Sequence, residues 1–292
     1  MPLSVPGTPL KFNNTFSWEA LSESLLAGKE LQNPEYMIRA VFTQGEASGS
    51  SRRMIAAYYD QLAELLQSGA TICITNIHLA DQYLREWAGA IRSQMRFTGN
   101  VGVNCYISPD GSGFPIHYDG RVATTLQIAG SKRWTFSTET AKRWPAHNAA
   151  YRNGRVEANG VEPGNAGKPP ADMTFKEVTL NPGDLLSLPA GTWHSARAVD
   201  HSLALNLYFE PRNFLDDLIP LLRDFTTADS NWISGPPVTV ETLDGPIPET
   251  VSAYIRKRLD EFNKAARNLS EDPDVLAESW MKSFTHNSGE HT

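Results

Sequence analysis

Between residues 99 and 210 the chain breaks into short β-prone runs separated by glycine and proline. These are VGVNCYI (101–107), IHYD (116–119), VATTLQIAG (122–130), KRWTFS (132–137), FKEVTL (175–180), DLLSL (184–188), HSARAV (194–199) and SLALNLYFE (202–210). Many short strands at close spacing, joined by turn residues, bury a core only by closing face to face as a sandwich or barrel. The segment 139–173, rich in Asn, Gly, Pro and Ala, interrupts the series and reads as a long surface excursion. Along SLALNLYFE, Ser202, Ala204, Asn206 and Tyr208 share one face, and Leu203, Leu205, Leu207 and Phe209 the other. That pattern fits a strand with a cavity on one side and packing on the other; the alternative is a face turned to water.

Helical signals flank this region. Ser17 caps WEALSESLLAG, which Gly28 closes, and residues 50–68 predict a longer amphipathic helix ending at Gly69. ATICITNIH then reads as a strand and residues 80–96 as a helix. After residue 211 come a helix over 214–225, a Pro-rich linker around 235–248 and a helix over 248–269. The last carries Val251, Ile255, Leu259, Phe262 and Ala266 on one stripe.

With 292 residues, 40% hydrophobic and 20% charged, the composition is that of an ordinary globular protein. A net charge of −7 argues against a dedicated nucleic-acid binder, which carries a basic stripe. No apolar run is long enough for a membrane span, and the N-terminus lacks a signal-peptide pattern. Cys73 and Cys105 lie in alternating apolar runs and read as buried thiols, not as a disulfide framework. A cytoplasmic location is therefore expected.

Two segments carry chemistry. GFPIHYDG (113–120) places His117 and Asp119 two residues apart, so both side chains leave one face of a strand while Tyr118 points away. PGDLLSLPAGTWHSA (182–196) delivers His194 just after a Pro/Gly turn. Two histidines and a carboxylate form the facial set that holds non-heme Fe(II) and leaves positions open for chemistry. The pair alone is weak. With 7 histidines and 33 acidic residues, chance supplies roughly 0.8 such His-x-acid pairs. The alternative is a satisfied strand histidine and a loop histidine. His201, the competitor to His194, sits beside Asp200 at a hairpin turn and reads as exposed. Lys132 shares strand parity with Trp134 and Phe136, so its ammonium is expected among apolar groups, where an anionic ligand would offset a costly burial; a solvated strand-start lysine is the alternative.

An ordered series of segments resembles the jumonji-C hydroxylases, in particular the bacterial cupin-like branch that includes the ribosomal oxygenases. The series is SGATICITNIHLADQYL (68–84), VGVNCYISPDGSGFPIHYD (101–119), TTLQIAGSKRW (124–134), PGDLLSLPAGTWHSA and SLALNLYF. The resemblance covers about residues 17–215. It implies a double-stranded β-helix, a cupin-like jelly roll that is mainly β with N- and C-terminal helices. The catalytic domain would span 1–215, with its jelly-roll core over about 99–210, and 216–292 would form a helical region. It implies His117, Asp119 and His194 as ligands of Fe(II), and Lys132 as the partner of the distal carboxylate of 2-oxoglutarate. Asn104, Tyr106, Thr125 and Asn206 match polar positions of the cosubstrate pocket.

The implied activity is that of an Fe(II)- and 2-oxoglutarate-dependent dioxygenase using O₂ to hydroxylate an unactivated C–H bond, foremost on an amino-acid side chain of a protein or peptide. A free amino acid or other small molecule is the alternative substrate, and a non-catalytic metal-binding cupin the alternative class. The excursion and the N-terminal helices are candidate substrate-covering walls. The C-terminal helix resembles a dimerising element, so a homodimer is expected. Two departures stand out. Only about 77 residues follow 215, short for both the helices and the winged helix of the ribosomal oxygenases. After Asp119 the chain reads GRVATTLQ, where the family often has acidic and aromatic residues.

Overall fold

Fourteen strands among the described residues assemble into two antiparallel sheets whose inner faces enclose a cavity. The structure is a computed structural model, and it describes residues 1–43, 52–158, 166–227, 232, 246–271, 273–274, 277–278 and 280–281. The described residues group into two units, Met1–Pro211 and Arg212–Thr292.

In the first unit the strands are β1 (Leu3–Val5), β2 (Met37–Thr43), β3 (Arg52–Ala56), β4 (Thr71–Thr75), β5 (Asn100–Ser108), β6 (Gly113–Tyr118) and β7 (Val122–Ala129). They continue with β8 (Lys132–Ser137), β9 (Ala149–Arg152), β10 (Arg155–Ala158), β11 (Phe175–Leu180), β12 (Leu185–Leu188), β13 (His194–Ala198) and β14 (Ser202–Glu210). The eight-stranded sheet runs β1-β12-β7-β14-β5-β4-β2-β3, and the six-stranded sheet β10-β9-β6-β13-β8-β11. This is the double-stranded β-helix expected from the sequence, with helices around it.

β14 shows why the alternation matters. It lies between β5 and β7, with Asn206 opposite both Asn104 and Thr125. Leu203, Leu205 and Leu207 turn outward into the main hydrophobic core, which Ile72, Ile74, Val103, Cys105 and Ile107 extend on neighbouring strands. The opposite face, through Ser202, Ala204, Asn206 and Tyr208, is also buried, so it faces protein and not water.

Three helices back this sheet from outside. Helix α1 (Trp18–Lys29) is capped by Ser17, whose hydroxyl accepts from Ala20 N. Helix α3 (Gln82–Gln94) is capped by Asp81, which accepts from Leu84 N. Leu21, Leu84, Ala88 and, from α2 (Leu62–Gln67), Leu62 join the core. Cys73 and Cys105 are buried free thiols.

Two sequence expectations need correction. Residues 52–56 form β3, paired with β2 from Arg39↔Ala56 to Thr43↔Arg52, and helix begins only near Tyr59. The stretch 50–68 mixes two elements, and a long window averaged their periods; residues 44–51 lie outside the described residues. The 139–173 segment is likewise not a loose excursion. It contributes the β9–β10 hairpin, and β9 extends the smaller sheet beside β6. Ala141, Ala149, Tyr151, Val156 and Ala158 then pack with Tyr118 and Trp193 on the sheet's outer side.

The second unit carries helix α4 (Phe214–Thr227) and helix α5 (Glu249–Glu271). The Pro-rich linker lies almost wholly outside the described residues, as do His286 and His291. Among the described residues, no helix is long and apolar enough to cross a membrane.

Leu205 is fully buried at the centre of the larger sheet. Leu205→Ala is expected to lower unfolding free energy by about 2–5 kcal/mol, by lost transfer energy plus a residual cavity. Urea denaturation checks this as a lower midpoint at an unchanged slope.

Candidate active site

The site is built by register. β13 is the central partner of both β6 and β8, which places His194 opposite His117 on one side and opposite Phe136 on the other. The two imidazole centroids are 4.2 Å apart. β6 ends at Tyr118, so Asp119 lies just beyond the strand and not within it. Its backbone oxygen accepts from Gly191 N at 2.8 Å, which ties the turn before His194 directly to the His-x-Asp segment. Gly191 has φ +77, and a Cβ there would lie 1.9 Å from Lys142 O, so only glycine fits this turn. Between the two segments, Tyr118 and Trp193 point to the opposite side of the sheet and pack together at 4.7 Å.

His117, Asp119 and His194 offer ligand atoms that all lie within 4.8 Å of one another. His117 Nδ1 is 2.8 Å from Pro115 O, and His194 Nδ1 is 2.8 Å from Thr192 O. A carbonyl only accepts, so both Nδ1 atoms carry the proton and both Nε2 atoms present lone pairs. Those Nε2 atoms are 4.0 and 3.8 Å from the two oxygens of Asp119. Such gaps are too long for hydrogen bonds. They lie within the span of two ligands each about 2.0–2.2 Å from a shared first-row ion. The donor set, two imidazoles and one carboxylate, suits Fe(II).

Lys132 stands at the other end of the cavity. It is 2% exposed, and its Nζ donates to Ser108 Oγ at 3.0 Å, across the gap between the sheets. Thr71 Oγ1 donates to the same hydroxyl oxygen at 3.1 Å. Among the described residues no carboxylate lies within 4.0 Å of this ammonium. Burial pushes its pKa down from 10.5 to about 8, although the nearby thiols of Cys105 and Cys73 pull the other way. Burial thus penalises the charged form relative to water, and an anion such as the far carboxylate of a dicarboxylate would offset that penalty.

Tyr106, Thr125, Asn206 and Ala204 line the cavity from the larger sheet, and Phe114, Trp134 and Ala196 line it from the smaller one; sequence reasoning did not single out Phe114, Trp134, Ala196 or Ala204 for that role. Strand parity carried the signal for Trp134 and Ala204. Ser108 also escaped notice, although it shares parity with Asn104 and Tyr106. Burial pushes the Tyr106 phenol well up, so it remains a neutral hydrogen-bonding group. Asn104 is buried but does not line the cavity; its Oδ1 accepts from the backbone N of Asn76 at 3.0 Å. His201 is exposed in the turn between β13 and β14. No described residue of the N-terminal helices or of the 139–173 segment lines this cavity.

Comparison with known proteins matches residues 78–216 to the model of the JmjC domain. The YxbC protein of Bacillus subtilis (strain 168) is 24% identical over 97% of this chain and 86% of its own length. A bifunctional lysine-specific demethylase and histidyl-hydroxylase NO66 of Aedes aegypti is 30% identical over 67% of this chain. The match spans only 31% of that protein. Among solved structures, YcfD, a ribosomal oxygenase from Escherichia coli in complex with cobalt and 2-oxoglutarate, has a similar fold. Its TM-score is 0.57 at 16% identity, covering 97% of this chain and 67% of that one.

The burial of Lys132 makes the stability of the unloaded fold depend on pH. The folded-state pKa is depressed, so between about 8 and 10.5 the unfolded chain binds more protons than the folded one, and stability rises with pH through that window. The rise attributable to Lys132 is about 3 kcal/mol. Denaturant titrations of unloaded wild type and Lys132→Met across pH 7–11 check it: the variant is expected to be the more stable at pH 7, with the difference shrinking towards pH 11.

Proposed function

We propose that the chain, whose residues 78–216 match the JmjC domain, is an Fe(II)- and 2-oxoglutarate-dependent oxygenase that hydroxylates an unactivated C–H bond of an amino-acid side chain in a protein or peptide. The observation that carries this reading is the conjunction of two things in one cavity: a His-Asp-His cluster with both Nε2 atoms turned towards the carboxylate, and a buried ammonium lacking a carboxylate partner among the described residues. A metal-binding cupin without 2-oxoglutarate would have no use for the second.

In this reading His117, Asp119 and His194 hold the iron, and the Pro115 and Thr192 carbonyls keep both imidazoles in the tautomer that ligates. Lys132, steadied by Ser108, takes the distal carboxylate of 2-oxoglutarate, while Thr125, Asn206 and Tyr106 supply polar groups along the same wall. Phe114, Trp134, Ala196 and Ala204 give the cavity an apolar lining that limits water near the reacting atoms. When bound, Fe(II) and 2-oxoglutarate supply the oxidising chemistry, in which one atom of O₂ enters the C–H bond and the other enters succinate as CO₂ leaves.

Purified protein with Fe(II), ascorbate and 2-oxoglutarate is expected to release succinate. His117→Ala and Asp119→Ala should each lower that rate by roughly two orders of magnitude or more, whereas Lys132→Met should act mainly by raising the KM for 2-oxoglutarate. No succinate from wild type, or a rate indifferent to His117→Ala, would overturn the oxygenase reading.

The helical unit supports a second proposal, a homodimer. On α5 the apolar residues Ile255 and Leu259 are 50% and 56% exposed, an arrangement that suits a partner helix better than water. Light scattering is expected to give twice the chain mass for wild type and a single chain mass for Ile255→Glu/Leu259→Glu.

A further inference from the structure

The cavity is closed at its Lys132 end and opens past Asp119. Ser108, Ser202 and Gln127 around the lysine are almost fully buried, whereas the Asp119 side chain is 23% exposed. Along the inner face of β14, Ser202, Ala204, Asn206 and Tyr208 step outward at about 6.8 Å per pair of residues. Tyr208 is opposite Ala123 of β7, and Arg121 comes immediately before β7, two residues beyond Asp119.

Arg121 is half-buried there, its guanidinium carbon 3.6 Å from the centre of the Tyr208 ring. The ring is itself braced. Its hydroxyl donates to Asn76 Oδ1 at 2.7 Å, and Asn76 N donates to Asn104 Oδ1 at 3.0 Å.

Four other arginines pair with acids, Arg133 with Glu177, Arg152 with Glu157, Arg256 with Glu249 and Arg258 with Glu261, whereas Arg39 and Arg85 donate to Met37 Sδ and to backbone carbonyls. Among the described residues Arg121 has no carboxylate within 4.0 Å. Glu35 and Glu210 influence Tyr208, but neither forms an ion pair with Arg121. Arg121 does not itself line the cavity that holds the two histidines and Lys132; it stands beside the exposed end, two residues beyond Asp119, which does. A planar cation stacked on a fixed ring, with its donors unclaimed by acids, is preorganised for bidentate recognition of a carboxylate.

We propose that Arg121 is the cation that recognises the primary substrate, binding a carboxylate next to the C–H bond to be oxidised and selecting against cationic side chains. The inference rests on the oxygenase reading and narrows its substrate to an acidic one: an acidic side chain in a peptide, or a small carboxylic acid. The shared chemistry is the anionic carboxylate at the mouth, matched by a fixed guanidinium.

The test uses full-length protein loaded with Fe(II) and 2-oxoglutarate. Binding is measured without O₂ by calorimetry, and substrate-stimulated succinate release with O₂. One arm contains N-acetylated, C-amidated Gly-Gly-Xaa-Gly-Gly peptides with Xaa as Asp, Glu, Asn, Gln, Arg or His. The other contains N-acetyl amino acids against their C-terminal amides. In one arm, carboxylate probes are expected to bind at least about tenfold more tightly than their amides, a preference of the size one charge-assisted pair supplies. Arg121→Gln should erase the preference while retaining the weak affinity for the amides, and Arg121→Lys should keep part of it. The arm that responds identifies the source of the carboxylate. Equal binding of carboxylates and amides, tightest binding by the arginine or histidine peptide, no carboxylate binding in either arm, or an undiminished preference in Arg121→Gln would each overturn the proposal. The oxygenase reading fails separately, through absent succinate release from wild type.

Discussion

The pairing of β13 with both β6 and β8 is the constraint on which the rest of the site depends. It sets His194 across from His117 and, two and four residues further along β13, Ala196 across from Trp134 and Ala198 across from Lys132. A strand slip of one residue would turn every inner side chain outward. It would move Trp193 into the cavity and His194 into the apolar layer that Trp193 now fills with Tyr118. The large aromatic residues flanking the histidines therefore act as register locks: each histidine faces the cavity because its neighbour has somewhere apolar to go. The Gly191 N–H bond to Asp119 O closes the same arrangement through the backbone.

That register also gives the cavity its polarity. The closed end holds a cation, the middle holds neutral polar groups from β5, β7 and β14, and the other end holds the His-Asp-His cluster. A ligand satisfying both ends must be short and anionic at its far end, which is the shape of a dicarboxylate. Lys132 is the costly element, since an ammonium with a single hydroxyl partner is poorly compensated for its lost hydration. Such a group weakens the unloaded fold, and an anion that paired with it would strengthen the loaded one, so ligand binding and stability would be coupled through this residue.

Much of this was legible in the sequence because it depends on period and parity. β8, β11 and β14 occupy the ranges that alternation and turn residues mark out, and Lys132 lies among apolar groups as its parity with Trp134 and Phe136 requires. The His-x-Asp spacing was readable too, though Asp119 reaches the site from beyond the strand end. What was not legible depends on tertiary pairing. Residues 52–56 become a strand because β2 is available to pair with them, and local helical period outweighed that in the sequence. The 139–173 segment lacks strong alternation, so its hairpin appears only once β6 offers an edge. Asn104 has the right parity for the cavity, yet its amide is turned to Asn76, a partner 28 residues away that no local pattern announces.

Without the β9–β10 hairpin, β6 would be an edge strand. Edge strands present unpaired N–H and C=O groups and hold their side chains less firmly. β9 takes that edge, with Ala150 opposite His117 and Ala149 opposite Tyr118, and the hairpin's apolar residues seal the outer side over Trp193. His117 is thereby carried by an interior strand, like His194, and both imidazoles are held from two sides. A segment that contributes no described side chain to the cavity still fixes one half of the facing histidine pair, through the backbone ladder rather than through the chemistry.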